Sequence, residues 1–208
     1  MAEKKINKHE LRTKETRELL LKAAEKIFVC DGYEGAELGE IAALAGRTKG
    51  AIYAHFKSKE DIFLALLEQH ITRYRTHMTE MLATSTSIEE NLAALRQFYL
   101  RLTEDHPWAL LFLEFKLFAI RHPESKERLQ KHFGELMSGS QEKRYVQLLG
   151  PAGKGKHALS RSDAIKTLQP LLSALAVETK LLPNFLDDQT LKKVANRIFD
   201  ALLQPPSR

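Results

Sequence analysis

Between Ile41 and Lys59 the chain carries Arg47, Lys49, Lys57 and Lys59 and no acidic residue, whereas acids and bases interleave elsewhere. Four cations without a carboxylate among them suit a partner rich in phosphate, although a charge run by itself is commonly a solvated basic face. Spacing separates the two readings. Gly46 stands between two short segments in which Ile41, Ala42, Ala45, Ile52 and Phe56 take inward apolar positions. This pattern predicts two short helices, about 38–45 and 49–55, joined by a tight turn that glycine makes possible, which is a helix-turn-helix. Ala51 and Ala54 keep the second helix slim enough for the ~12 Å major groove of duplex DNA.

A second set of residues could bind a small molecule. Pro107–Arg121 is apolar nearly all round and predicts a helix buried in the middle of a bundle. Trp108, Phe112 and Phe115 form a stripe with Phe118 beside it, and Glu114 lies among them. A carboxylate in such a place needs a partner. It is either ion-paired to Arg96, Arg101 or Arg121, or it anchors an apolar effector pocket, where aromatic faces and one carboxylate favour a bulky cationic ligand.

Other candidates are weaker. Gly150, Gly155 and Lys156 have phosphate-loop spacing, but His157 replaces the Ser or Thr such a loop needs and no strand precedes it. His70 and His77 share a helix face with Glu80 nearby, a pattern commoner on polar surfaces than in metal sites. Cys30, the single cysteine, reads as core and excludes an intrachain disulfide. No nucleophile–base set stands in motif context. The expectation is therefore no enzyme, no cofactor and no metal.

The elements that must position these groups are helical. Leucine occurs 33 times and alanine 22 times against four valines and ten isoleucines, so a β-rich fold is disfavoured. The net charge of +5 permits a polyanionic partner without requiring one. No apolar run approaches the ~20 residues that span a bilayer, and the first residues lack a secretory apolar region, which reads as cytoplasmic. Residues 1–12 read as a flexible basic arm, 13–60 as a DNA-binding unit, and 61–208 as a ligand-binding and dimerisation unit. A helix from Thr16 ends near Gly32. Ser58 with Asp61, Ser87 with Glu90 and Ser160 with Asp163 have capping-box spacing. Further helices are predicted over about 59–82, 88–104, 107–121, 123–149, 161–181 and 188–203, nine or so in all, with Pro170 expected to kink the last but one.

The stretch EIAALAGRTKGAIYAHFKSKEDIF resembles the signature of the tetracycline-repressor (TetR) family, over about Arg17 to Leu67. The resemblance implies an all-α fold: an N-terminal three-helix DNA-binding domain joined to a C-terminal helical bundle. It implies a ligand-responsive transcriptional regulator, a repressor released by a small effector, that binds a palindromic duplex operator as a homodimer. The alternative is a helical binding module that has lost operator binding. By the same resemblance Thr48 and Lys49 open the recognition helix, and Gly50 and Ala51 allow close approach to the groove. Tyr53 and His55 reach phosphate, and Lys57 and Lys59 add positive charge, Lys59 anchoring a phosphate. Tyr53 could instead pack between helices, and His55 could simply be exposed. Glu37 stands where the family has Thr or Ser, and Arg47 where it has an apolar residue. Effector binding in the bundle would tilt the long helix. The last two helices would pair the subunits through Leu175, Leu182, Ile198, Phe199 and Leu202.

Overall fold

The computed structural model describes residues 8–83, 87–102, 104, 106–136, 142–153, 158–182, 184 and 187–203. Among these there are ten helices and no strand: α1 Lys8–Gly35, α2 Leu38–Leu44, α3 Lys49–His55, α4 Lys59–Ala83, α5 Ile88–Leu102, α6 His106–Arg121, α7 Pro123–Leu136, α8 Glu142–Leu149, α9 Arg161–Leu181 and α10 Asp188–Leu203. Helix α1 starts at Lys8, inside the segment expected to be an arm, and Met1–Asn7 lie outside the described residues. It breaks at Gly32, where its end was expected. That residue adopts φ 74°, ψ 174°, and helical backbone resumes as far as Gly35. Of the helix expected over 123–149, the described residues give α7 and α8. Ser138, Gly139 and Ser140, between them in sequence, lie outside the described residues. Helix α9 runs on through Pro170. Gly155, Lys156 and His157 also lie outside the described residues.

The chain forms two compact units. One comprises the residues up to Ile71 together with Leu111–Leu136, and the other Thr72–Leu110 with the carboxy-terminal remainder. This division differs from a simple break at residue 60, because the second half of α6 and all of α7 belong to the first unit. The first unit's core is built on Leu20, Ala24 and Phe28 of α1, Ile41, Ile52 and Phe56 of α2 and α3, and Ile62, Phe63 and Leu67 of α4. Its aromatic centre is tight: Phe63 stacks on Phe115 at 4.0 Å, and Tyr33 meets Phe115 edge-on at 4.8 Å and Phe63 at 5.5 Å. The second unit packs α5, α8, α9 and α10 around Leu95, Phe98, Leu149, Leu168, Leu172 and Phe199.

Local capping matches the sequence. The Ser58, Ser87 and Ser160 hydroxyls accept hydrogen bonds from the N–H groups of Asp61, Glu90 and Asp163 at 3.2, 3.1 and 3.0 Å. Two expectations fail on burial. Cys30 is exposed, because the buried face of α1 is set by Phe28 and Ala24 and the thiol projects off it. Helix α6 is not buried all round: Leu110, Leu113, Leu117 and Ile120 repeat at helical spacing along an exposed face.

Candidate nucleic-acid interface

The turn between α2 and α3 is a Schellman motif. The Gly46 N–H donates to Ala43 O at 3.0 Å and the Arg47 N–H to Ala42 O at 2.9 Å, with Gly46 at φ 62°. A Cβ at Gly46 would meet nothing within 4 Å, so any penalty there is conformational, not steric. Gly46→Ala should therefore cost ~1 kcal/mol of stability and Gly46→Asn less, read as the midpoint shift in urea unfolding.

Helix α3 begins cleanly after this turn. Thr48 is its N-cap, its hydroxyl accepting from the Ala51 N–H at 3.3 Å. Ile52 is fully buried and holds the helix down. Phe56 closes it, buried beneath the Arg17 guanidinium, which lies 5.1 Å from the ring centre. The opposite side of α3 faces outward: Thr48, Lys49 and Gly50 are exposed, Ala51 is half-buried and Tyr53 is 56% exposed. Packing between helices is thus excluded for Tyr53. His55 is half-buried with its ring beside Phe56. Arg47 is exposed and folds back to donate to Gly46 O at 3.0 Å. Lys57 is exposed, and its backbone N–H donates to Asp61 Oδ2 at 2.9 Å. At the start of α2, Glu37 occupies the N-cap position with extended backbone but makes no capping bond. Its carboxylate is exposed.

Lys59 departs from its expected role. Its ammonium donates to Glu34 O at 2.9 Å and Ala36 O at 3.2 Å and lies 5.1 Å from the Tyr33 ring centre. It braces the link from α1 to α2, where a phosphate anchor was expected, because the carbonyls ending α1 lie within its reach. Two acids follow it, and both are engaged from α7. Arg128 pairs with Glu60 at 2.8 Å and with Asp61, so the start of α4 does not present two free carboxylates beside the basic run. Burial is the chief cause raising the Tyr33 phenol above its ordinary pKa, with Glu60 and Glu34 adding to it.

Residues 20–66 match the sequence model of the family described as bacterial regulatory proteins, tetR family. Over this amino-terminal segment the chain is similar to proteins of that family. Over 116 residues the chain is 31% identical to the transcriptional repressor AcnR of Corynebacterium diphtheriae, covering 56% of each. Over 86 residues it is 38% identical to the transcriptional activator FasR of Mycolicibacterium smegmatis, covering 41% of this chain and 39% of that protein. The chain thus spans about half or less of the curated relatives it matches. Its fold is similar to that of the Bacillus subtilis regulator FadR solved with stearoyl-CoA, at a TM-score of 0.63 and 21% identity over 90% of this chain and 97% of that one.

Beyond the matched segment, the remaining expected residues fall into different places. Of the five expected effector contacts, Trp108 alone belongs to the second unit. Phe115 is fully buried in the first unit's aromatic centre, and Phe118 lies 4.9 Å from Tyr33 and stacks on His122 at 3.9 Å. The face of Phe112 is met by the Lys116 ammonium at 4.1 Å. Among the described residues Glu114 pairs with none of the three candidate arginines. It accepts from the Glu34 N–H at 3.3 Å, so the carboxylate expected to meet a cationic effector is held by the chain's own backbone. Arg96 pairs instead with Asp200 and lies over Phe199. Among the expected dimer residues, Leu182 is exposed and Leu175, Ile198 and Leu202 are half-buried. Phe199 is 1% exposed inside its own unit and is not available to a partner. Among the described residues no group of three His, Cys, Asp or Glu side chains could hold a metal ion, and no helix is long and apolar enough to cross a membrane.

Proposed function

We propose that this chain is a DNA-binding transcriptional regulator, a repressor that binds a palindromic operator as a homodimer in the cytoplasm and is released by a small effector. The observation that carries the reading is the outward side of α3. Lys49 and Tyr53 stand exposed on a helix fixed from behind by Ile52 and Phe56, with Arg47 and Lys57 exposed at its two ends. Cations there supply salt-dependent affinity, and exposed side chains on a slim helix can reach base edges. The relatives include an activator, FasR, and a repressor, AcnR, of which the second supports repression. The stearoyl-CoA in the FadR structure supports a small-molecule effector with a long apolar chain, for which Trp108 remains the proposed contact.

The test is selection of genomic duplex fragments by the full chain, followed by affinity measurements across a salt series. Lys49→Ala should weaken every sequence alike and lower the salt slope by about one. Arg47→Ala should relax discrimination at one base pair by ~1–3 kcal/mol if its guanidinium reads guanine, and lower the slope if it meets phosphate. A chain that retains no fragment above background overturns the reading.

For the dimer, the exposed Leu171, Leu181 and Leu182 with half-buried Leu175 give α9 an apolar edge. Leu175→Glu combined with Leu182→Glu should give monomers with unchanged helix content by sedimentation and circular dichroism.

A further inference from the structure

We propose that Glu114 is a positioning residue for DNA recognition, capping from α6 the backbone turn that leads into the helix-turn-helix; this rests on the DNA-binding reading. Gly32 breaks α1, and the chain then re-enters helix for one turn, closed by the Ala36 N–H donating to Gly32 O at 3.2 Å. The first N–H groups of such a restart have no helical acceptor. A local cap would have to come from residue 32, and glycine has no side chain to offer. Glu114 supplies it from a distant helix, accepting from the Glu34 N–H at 3.3 Å.

The fit is specific to glycine. A Cβ at Gly32 would stand 2.7 Å from both carboxylate oxygens of Glu114 and 3.1 Å from the carboxylate carbon. The absent side chain therefore allows the left-handed backbone and also leaves the seat for the carboxylate. The same residue is held from the other side, since Lys59 of α4 donates to Glu34 O and also to Ala36 O. Residue 34 is thus gripped at its N–H by α6 and at its carbonyl by α4. Glu37, the N-cap of α2, follows three residues later. Any change in the path of 32–36 passes directly into α2 and, through the Gly46 turn, into α3.

The sign of the effect separates this role from plain electrostatics. Removing a carboxylate from a DNA-binding protein relieves repulsion of phosphate and tightens binding. Loss of the cap acts in the opposite direction. In the full chain, Glu114→Ala should speed hydrogen exchange at the Glu34 amide about tenfold and weaken operator binding about tenfold, the scale of one lost cap. The salt slope should stay at the wild-type value, because no phosphate contact is removed. Glu114→Gln, which keeps an oxygen acceptor, should restore most of both losses. Glu114→Leu, which fills the space without accepting, should behave as Glu114→Ala and serves in its place if that variant does not fold. Operator affinity equal to or above wild type in the alanine or leucine variant overturns the role, as does unchanged exchange at Glu34. A wild-type chain that retains no duplex overturns the DNA-binding reading and this role with it. Retained duplex with unaffected variants overturns this role alone.

Discussion

Arg161→Met should lower the unfolding free energy by ~3–5 kcal/mol, the range for removing one partner from a buried charged network. The side chain is 2% exposed. Its Nε donates to Gly150 O at 3.0 Å, and Nη2 to Leu149 O at 3.1 Å and Pro151 O at 2.8 Å. Nη1 donates to Leu203 O. These carbonyls end α8 and α10, where a helix leaves its last acceptors without partners and accumulates partial negative charge. One guanidinium therefore ties two helix ends to the start of α9. The Glu142 carboxylate stands by as counter-charge and accepts the N–H groups of Arg161 and Ser162 at 3.0 and 2.6 Å. Burial lowers the guanidinium's pKa from its ordinary value and Glu142 opposes the shift, which leaves an arginine charged at any physiological pH. Methionine fills comparable volume but strands four acceptors. Arg161→Lys should fall between, since an ammonium keeps the charge but loses the planar fork. Urea unfolding at fixed protein concentration measures both. A loss under ~1 kcal/mol for the methionine variant would mean that water satisfies those carbonyls.

What the sequence made legible was local. Ser58, Ser87 and Ser160 cap helices three residues ahead, and Gly46 turns the chain within one motif, so spacing alone locates them. Lys59, Glu114 and Arg161 were misread or passed over because their partners are distant in sequence. Glu114 and Glu34 are 80 residues apart, and Arg161 and Leu203 are 42 apart. No period or spacing announces such a pair. Apolar periodicity likewise shows that a face can be buried without showing what buries it. It grouped Phe199 with the residues of a partner surface, whereas the α10 face bearing Phe199 and Leu191 closes the protomer's own core. It buried α6 on every side, whereas Leu113, Leu117 and Ile120 lie exposed. Phe115 and Phe118, read as part of a ligand stripe on α6, pack instead against Tyr33 of α1, and Phe115 also against Phe63 of α4.

That packing gives the second large effect. Phe115→Ala should cost ~3–5 kcal/mol, as expected for an aromatic ring removed from a close-packed core. The ring has no exposed surface, stacks on Phe63 at 4.0 Å with 26° between the planes, and meets Tyr33 at 4.8 Å. Tyr33 sits in the restarted turn of α1, and Phe63 lies one turn along α4 from Lys59. The cavity would thus open beneath Tyr33 and Phe63, beside the link to α2, so the loss should concentrate in the first unit. Hydrogen exchange should accelerate at the amides of α1, α2 and α3, while those of α9 and α10 keep wild-type protection. On the proposed DNA-binding reading, operator affinity should fall with it, since α3 is held by the same core. A ring that instead lined an effector pocket would behave differently: its removal would leave exchange in α2 and α3 unchanged and alter only the response to effector. The two outcomes are separated by one exchange map of the variant without any ligand added, because a core ring destabilises its unit whether or not an effector exists.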